Sequence, residues 1–264
     1  MSYNAELIAK IIKEKINHDF DVALVLGSGL SGATPKMENT LTISYESLGM
    51  PSGALAGHNR CFQFGDYAGK HIVVASRIHY YEKGSIEEMR LPFEVLSALG
   101  VKTVVLTTAV GGVDPSFKSG DLMIVEDQIN YSGVNPLIGI KNQWFVDMCN
   151  VYDKKLIGEV KKIAIEENFE IKSGVHMQLS GPTYETPAEV KMAEKLGAST
   201  VSMSTALDTI MCAHFKMKVL ALASICNMAA GLSTEILTHE KVLEASAINQ
   251  KKIGIILNKL IPKI

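Results

Sequence analysis

The chain has 264 residues, of which 47% are hydrophobic and 20% are charged, and its formal net charge is −2. This composition supplies a sizeable core and is not that of a disordered chain. The small net charge argues against nucleic acid as the main partner, because a protein that binds a phosphate backbone clusters its Lys and Arg residues. The four cysteines contain no Cys-x-x-Cys pair, so we expect no zinc site and reduced thiols.

The N-terminal residues place acids and lysines at helical spacing and contain no apolar leader core, which predicts an amphipathic surface helix. The longest apolar stretch, residues 219–232, is too short to span a bilayer. We therefore expect a cytoplasmic protein that does not bind membranes.

Short β-rich runs alternate with helical patterns along the chain. In chain order, strands are predicted at 22–26, 41–45, 71–75, 101–107, 174–179 and 219–225, and helices at 86–99, 153–167, 187–196 and 239–260. No linker or repeat interrupts this order. The pattern predicts a single α/β domain over residues 1–264, with a mixed central β-sheet flanked by helices on both faces.

In such sheets, ligands bind beyond the carboxyl ends of the strands. The segments that follow the predicted strands are polar and rich in glycine: 27–30, 77–82, 107–112, 181–186, 202–205 and 226–227. Together they supply hydroxyls, two glycine turns, an Arg–His pair, a carboxylate and an amide. This set suits an anion beside a polar heterocycle, and it contains neither a nucleophile–base–acid triad nor paired catalytic carboxylates.

The first of these turns, Gly27-x-Gly29-x-x-Gly32, formally matches the dinucleotide-binding fingerprint. That fingerprint needs a helix that starts at its glycines, and Pro35 would break such a helix within its first turns. A nicotinamide-dependent dehydrogenase is therefore a distant alternative.

Several short motifs occur in one order along the chain: Leu26-Gly-Ser-Gly-Leu30, Gly57-His58, Arg77-x-His79-x-Tyr81-Glu82, Ala109-Val-Gly-Gly112, Gly181-Pro-x-Tyr-Glu-Thr186, Met203-Ser-Thr205 and Asn227. Each motif alone is weak. The ordered set resembles the purine nucleoside phosphorylases of the homotrimeric class, a family shared with methylthioadenosine phosphorylases, and the resemblance covers about residues 22–243. It implies phosphorolysis of a purine nucleoside to free base and ribose 1-phosphate. It also implies a homotrimer that uses no metal or cofactor, with inorganic phosphate as co-substrate.

The resemblance also implies roles for individual residues. The expected phosphate ligands are Ser28, His58, Arg77, His79, the backbone of Ala109, and Ser204. The expected nucleoside ligands are Tyr81, Tyr184, Glu185, Met203, Asn227 and His239. Among these residues, Asn227, Glu185 and His79 are the expected catalytic residues. Histidines 18, 71, 176 and 214 lie in no motif, and we assign them to structure.

Elementary chemistry is consistent with these roles. The planar guanidinium of Arg77 can grip two phosphate oxygens, and bound phosphate stabilises a positively charged sugar. Asn227 can hydrogen-bond N7 of the departing purine, while Glu185 can accept from N1–H of a 6-oxopurine. In the resembling family an amide at the position of Asn227 accompanies 6-oxopurines, and His239 suits a 5′-hydroxyl, so we expect inosine and guanosine as substrates.

Several positions depart from the family pattern. Thr108 stands where Asn is usual, Lys83 and Ser202 each replace a Gly, and Cys226 replaces Thr or Ser. Ala206-Leu207-Asp208 stands where Val-Pro-Glu is usual, so the acid is kept and the proline is lost. Because Thr108 and Cys226 adjoin the expected phosphate and base pockets, they could change rate or specificity. A phosphorylase for xanthosine or methylthioadenosine, and a weakly active nucleoside-binding protein, are the alternatives.

Overall fold

A computed structural model describes residues 3–52, 60–140, 145–232 and 239–264, with the backbone alone for 239–245, 247 and 248. The helices of these residues are α1 Ala5–Lys13, α2 Ile86–Ala98, α3 Lys154–Glu166, α4 Pro187–Lys195, α5 Ala206–His214 and α6 His239–Leu260. The strands are β1 Val22–Val25, β2 Glu38–Ser44, β3 Cys61–Tyr67, β4 Lys70–Ala75, β5 Thr103–Gly112, β6 Leu122–Asn130, β7 Lys172–Gln178, β8 Thr200–Ser202 and β9 Lys218–Met228.

The strands form one mixed sheet in the order β2-β3-β4-β1-β5-β8-β7-β6-β9. β1 runs parallel to both β4 and β5, whereas β2, β3 and β4 pair antiparallel. β5 also pairs with β9, so the strands from β5 to β9 close into a ring. The predicted α/β class with a mixed central sheet is confirmed.

Local sequence explains where the helices begin. Asp153 accepts hydrogen bonds from the backbone N–H groups of Lys155 and Leu156, at 2.9 and 3.0 Å, and so caps α3. Thr186 and Glu189 form a capping box at the start of α4, and Pro187 fills the first helical position. Both helices start at the predicted place.

The glycine turn after β1 is not followed by a helix of the dinucleotide-binding type. Residues Ser31–Ala33 form a single 3₁₀ turn, and the chain then enters β2 by way of Pro35. The local structure therefore agrees with the sequence argument against the dinucleotide fingerprint.

The structure corrects the predicted ends of two strands. The sequence predicts a glycine turn after Thr107, but β5 continues to Gly112. The two glycines allow close packing, because a Cβ atom on Gly112 would lie 3.0 Å from the sulfur of Met228 and one on Gly111 3.3 Å from the Cβ of Ala229. The strand predicted to end at residue 225 is β9, which continues through Met228.

The core lies between the sheet and the helices. β1 is buried along its whole length, and most of β5 and β9 is buried as well. None of the helices in the described ranges is both long enough and apolar enough to cross a membrane.

Candidate active site

A cavity of about 360 Å³ opens at the carboxyl ends of β1 and β4 and beside the later part of β5. Its wall contains every predicted site residue whose side chain the structure describes: Ser28, Arg77, His79, Tyr81, Ala109, Tyr184, Glu185, Met203, Ser204 and Asn227. His58 and the side chain of His239 lie outside the described residues. One cavity thus brings together segments that are far apart in the sequence.

The glycine turn at residues 27–29 forms one end of the cavity. The N–H of Gly27 donates to the hydroxyl of Thr107 at 2.8 Å, which ties the turn to β5. A Cβ atom on Gly27 would lie 2.9 Å from the carbonyl oxygen of Thr107 and 2.9 Å from the Cα of Thr108. This close backbone approach explains the need for glycine, and it places Ser28 in the cavity wall.

Arg77 lies beside this turn and is buried. Its Nε–H group donates to the carboxylate of Asp208, and its two terminal nitrogens lie 3.4 Å from the carbonyl oxygen of Thr107. The side chains of Arg77 and Asp208 are 1% and 3% exposed. The ion pair therefore fixes the guanidinium in the cavity wall, where an anion would meet its positive charge.

His79 belongs to a second charged group. The carboxylate of Glu82 accepts from the backbone N–H of His79 at 2.7 Å, contacts its Nδ1 at 3.2 Å and pairs with Arg60. Burial alone would raise the pKa of Glu82, but these hydrogen bonds from His79 and Arg60 lower it to about 2. Burial lowers the pKa of His79 in spite of this neighbouring carboxylate. Burial thus disfavours the charged form of the imidazole, and Nδ1 is turned towards Glu82.

Hydroxyl groups line the cavity between the glycine turn and α5. The Oγ atoms of Thr108 and Ser204 lie 3.2 Å apart, and Thr205 Oγ1 is 3.5 Å from Ser204 Oγ. The Thr108 and Ser204 hydroxyls, which line the cavity, can rotate to donate to an oxyanion beside Arg77.

Aromatic rings and a carboxylate form the other end of the cavity. Tyr184 is 41% exposed, which leaves its ring accessible from solvent. Burial raises the pKa of Glu185. Tyr81 stacks on His79 with ring centroids 4.8 Å apart.

Asn227 lies on β9 next to a break in the register with β5. Val110 pairs with Ile225 but Gly111 pairs with Asn227, so Cys226 is the extra residue of a β-bulge. The amide of Asn227 donates to the carbonyl of Met228 at 2.9 Å and lines the cavity.

Cys226, which is expected to adjoin the base pocket, does not place its side chain in the cavity wall. The Cys226 thiol lies 3.1 Å from the hydroxyl of Ser246 on α6 and donates to the carbonyl oxygen of Ser224 at 3.3 Å. The Cys226 side chain thus faces α6, while Asn227 faces the cavity.

One cluster of potential metal ligands occurs among the described residues: His18, Asp66 and His71. His71 Nδ1 lies 2.7 Å from the carboxylate of Asp66, and the two imidazole rings stack with centroids 3.6 Å apart and planes at 19°. Nearly parallel, stacked rings do not point their nitrogen lone pairs at one ion. The geometry is that of a hydrogen-bonded stack, and none of these residues lines the cavity.

Comparison with known proteins decides the family. The family model described as the phosphorylase superfamily matches residues 21–262. Purine nucleoside phosphorylase 1 of Bacillus subtilis (strain 168) is 37% identical over 252 residues, which cover 93% of this chain and 93% of the Bacillus protein. The chain belongs to the purine nucleoside phosphorylase family. The resemblance inferred from the motifs is confirmed.

Solved structures of purine nucleoside phosphorylases share this fold. Isoform 2 from Schistosoma mansoni, in complex with cytosine and ribose-1-phosphate, matches with a TM-score of 0.92 and 32% identity over 99% of this chain and 96% of that one. A Schistosoma mansoni enzyme in complex with inosine matches with a TM-score of 0.92 and 28% identity over 100% of this chain and 99% of that one.

Three of the departures from the purine nucleoside phosphorylase pattern lie at the site. Thr108 and Ser202 line the cavity, and Asp208 pairs with the cavity residue Arg77. The sequence alone assigns no role to Asp208. One feature of the sequence points to a role for Asp208: an acid is kept at this position, after Met203-Ser-Thr205, although the residues around it differ from the family pattern.

Proposed function

We propose that the chain catalyses the phosphorolysis of 6-oxopurine nucleosides such as inosine and guanosine, acting as one unit over residues 1–264. The observation that carries the proposal is one cavity with two chemically distinct ends. Arg77, with hydroxyls and a glycine turn, forms an end suited to an oxyanion, and Glu185 with Asn227 forms an end suited to a purine edge. The family membership and the printed complexes of relatives with inosine and ribose-1-phosphate support the same reaction.

Phosphate would bind at the first end. In this proposal its ligands are Ser28, His58, Arg77, His79, the backbone of Ala109, and Ser204. Arg77 supplies the positive charge, and its carboxylate partner Asp208 keeps the guanidinium in one orientation. His79, with Nδ1 held by Glu82, presents Nε2 to the phosphate, where a neutral imidazole accepts a hydrogen bond from a phosphate O–H group.

The nucleoside would bind with its base at the second end. Tyr184 would stack on the purine, Glu185 would accept from N1–H, and Asn227 would hydrogen-bond N7. Tyr81, Met203 and His239 would contact the ribose. A cavity of about 360 Å³ is within the range that small-molecule sites occupy.

The reaction then follows from charge. A phosphate oxygen donates a lone pair to C1′ of the ribose while the C1′–N9 bond breaks, and the bonding electrons leave with the purine. Positive charge on the sugar faces bound phosphate, and the hydrogen bond from Asn227 strengthens as charge or a proton reaches N7. Catalysis rests on position and electrostatics, and no step calls on a metal or redox cofactor.

The family resemblance extends the proposal to the assembly, and the cysteine pattern extends it to the compartment. We propose a cytoplasmic homotrimer, and light scattering would test the trimer. Xanthosine and methylthioadenosine belong in the same substrate panel, because turnover of either one in preference to inosine would redirect the proposal.

Substitution at Asn227 and Glu185 tests the base-binding roles. We expect Asn227→Ala and Glu185→Ala each to reduce kcat/KM for inosine by at least about a hundredfold, through loss of a hydrogen bond made to the leaving base. Asn249→Ala is the matched control, because Asn249 is buried outside the cavity wall, where it donates to Asp121 and Ser224. Unchanged kcat/KM in both site variants would overturn the assigned base pocket.

A further inference from the structure

We propose that His176 is a positioning residue that, together with Ser202, holds Ser204 in the orientation that binds phosphate. The inference deepens the proposed function and rests on the phosphate role assigned there to Ser204. His176 is not in the cavity wall, whereas Ser202 and Ser204 are. It would therefore act through another residue and not on the substrate.

His176 lies on β7 and is fully buried, and both of its ring nitrogens are hydrogen-bonded. Nδ1 lies 3.0 Å from the hydroxyl of Thr200, and Nε2 lies 3.1 Å from the carbonyl oxygen of Ser204. Because a carbonyl can only accept, Nε2 carries the proton, and the Thr200 hydroxyl must then donate to Nδ1. The contacts thus define one neutral tautomer, in agreement with the lowering of its pKa to about 4 by burial.

Ser202 adds two further bonds to the same peptide segment. Its hydroxyl accepts from the backbone N–H of Ser204 at 3.2 Å and donates to the Ser204 carbonyl at 3.3 Å. The same hydroxyl lies 3.1 Å from Nε2 of His176. The imidazole and the hydroxyl therefore fix both the N–H and the C=O group of Ser204.

The segment needs this restraint because the next residue is strained. Thr205 has φ +88° and ψ −45°, a region that β-branched residues rarely adopt. Gln178 lies two residues beyond His176 on the same face of β7. It restrains the residues on either side of this segment, because its amide donates to the Met203 carbonyl and accepts from the N–H of Leu207. Without the contact from His176, the peptide between Ser204 and Thr205 could relax towards an ordinary conformation.

Such a relaxation would move the hydroxyl that faces the cavity. Ser204 Oγ lies 3.2 Å from Thr108 Oγ1, on the side of the cavity that holds Arg77. Rotation of the Ser204 backbone would draw this hydroxyl away from Thr108 and from a bound anion. The expected loss is therefore one phosphate hydrogen bond and not the whole site.

Titration of the nucleoside-free protein with inorganic phosphate by calorimetry tests this inference. His176→Leu replaces the imidazole by an apolar side chain of similar size that makes neither hydrogen bond. We expect this variant to bind phosphate roughly five- to tenfold more weakly. His176→Gln returns an N–H donor near the position of Nε2 and should restore most of the affinity. Asn249→Ala also loses buried hydrogen bonds, outside the cavity, and should be less stable with unchanged phosphate affinity.

Ser202→Ala provides a second route if His176→Leu does not fold. It removes the acceptor for the Ser204 N–H, and the inference predicts weaker phosphate binding for this variant too. Phosphate affinity equal to that of the unaltered protein in Ser202→Ala or in folded His176→Leu would overturn the inference alone. Phosphate binding by the unaltered protein without cleavage of any purine nucleoside would overturn the proposed function alone. No phosphate binding by the unaltered protein would overturn both.

Discussion

Arg77 and Asp208 form an ion pair in which both side chains are almost completely buried. The two residues are far apart in the sequence, since Arg77 follows β4 and Asp208 lies in the first turn of α5. Removing one partner of such a pair leaves a charge that is neither solvated nor neutralised. The pair therefore joins the stability of the fold to the geometry of the expected phosphate site.

Asp208→Asn tests this coupling. We expect a loss of about 3–5 kcal/mol in the free energy of unfolding, because Arg77 keeps its charge in a buried position. Urea unfolding at neutral pH measures the loss. Asp208→Glu keeps the charge and is the matched control, with a smaller loss expected. If the Asp208→Asn variant is as stable as the unaltered protein, the ion pair contributes nothing to the stability of the fold.

Gly27→Ala tests the close approach of the glycine turn to β5. The new Cβ atom would meet backbone atoms of Thr107 and Thr108 at 2.9 Å, and backbone cannot yield as a side chain can. We expect a destabilisation of about 1–3 kcal/mol and a lower affinity for phosphate. Gly158→Ala is the same change on α3 with no atom within 4 Å of the new Cβ, so it should be neutral or stabilising by up to about 1 kcal/mol. Equal effects of the two substitutions would refute the steric argument.

Thr108→Val tests the hydroxyl that contacts Ser204. The change keeps the shape of the side chain and removes the partner that lies 3.2 Å from Ser204 Oγ. We expect KM for phosphate to rise several-fold while stability falls by only about 1 kcal/mol. Thr108→Ser keeps the hydroxyl and should behave like the unaltered protein. If Thr108→Val leaves KM for phosphate unchanged, Thr108 only fills space at this position.

The pH dependence of nucleoside use tests Glu185. Its carboxylate is the expected acceptor from the purine, and burial raises its pKa, so protonation on acidification begins at a higher pH than for an ordinary glutamate. We expect kcat/KM for inosine to fall on the acid side, and the fall should begin at a higher pH than the titration of an ordinary glutamate would give. The Glu185→Gln variant has no carboxyl group to protonate at this position, so its kcat/KM should not show this fall. Phosphate titrates equally in both experiments, so an identical acid limb in the variant would assign the fall to another group.

The pH dependence of stability tests the buried state of His176. Its pKa is lowered from 6.5 to about 4, so the unfolded chain binds a proton below pH 6.5 that the folded chain does not bind until about pH 4. The stabilisation is complete above pH 6.5 and is lost as the pH falls through this window, at up to about 1.4 kcal/mol per pH unit. Urea unfolding at several pH values measures this loss. The free energy of unfolding should fall more steeply with decreasing pH for the unaltered protein than for His176→Gln. Parallel curves would contradict a neutral, buried imidazole.

Much of the site could be predicted because its residues follow strands in recognisable motifs. The elements around those motifs have clear patterns: β1 is a continuous apolar run, and α3 and α4 have capped helical sequences. The cavity then brings Arg77, Glu185 and Asn227 together, as the sequence predicts.

The sequence analysis predicts neither strands β3, β6 and β8 nor helix α5, and it misses the contacts of Asp208 and His176. β8 has only three residues, which is too short to show a period, and nearly every residue of α5 is buried, so it lacks an amphipathic pattern. Asp208 and His176 act through partners on other elements. A sequence does not show such contacts, because the chemistry of an isolated acid or imidazole fits many surroundings.

The most direct test of the proposed function is the identity of the sugar product formed from inosine. We would incubate the purified protein with inosine and inorganic phosphate, and follow the phosphorus signal by nuclear magnetic resonance. We expect ribose 1-phosphate in amounts equal to the hypoxanthine released, and no release without phosphate. Free ribose, or hypoxanthine released in the absence of phosphate, would mean hydrolysis by water and would contradict the roles of Ser28, Arg77 and Ser204.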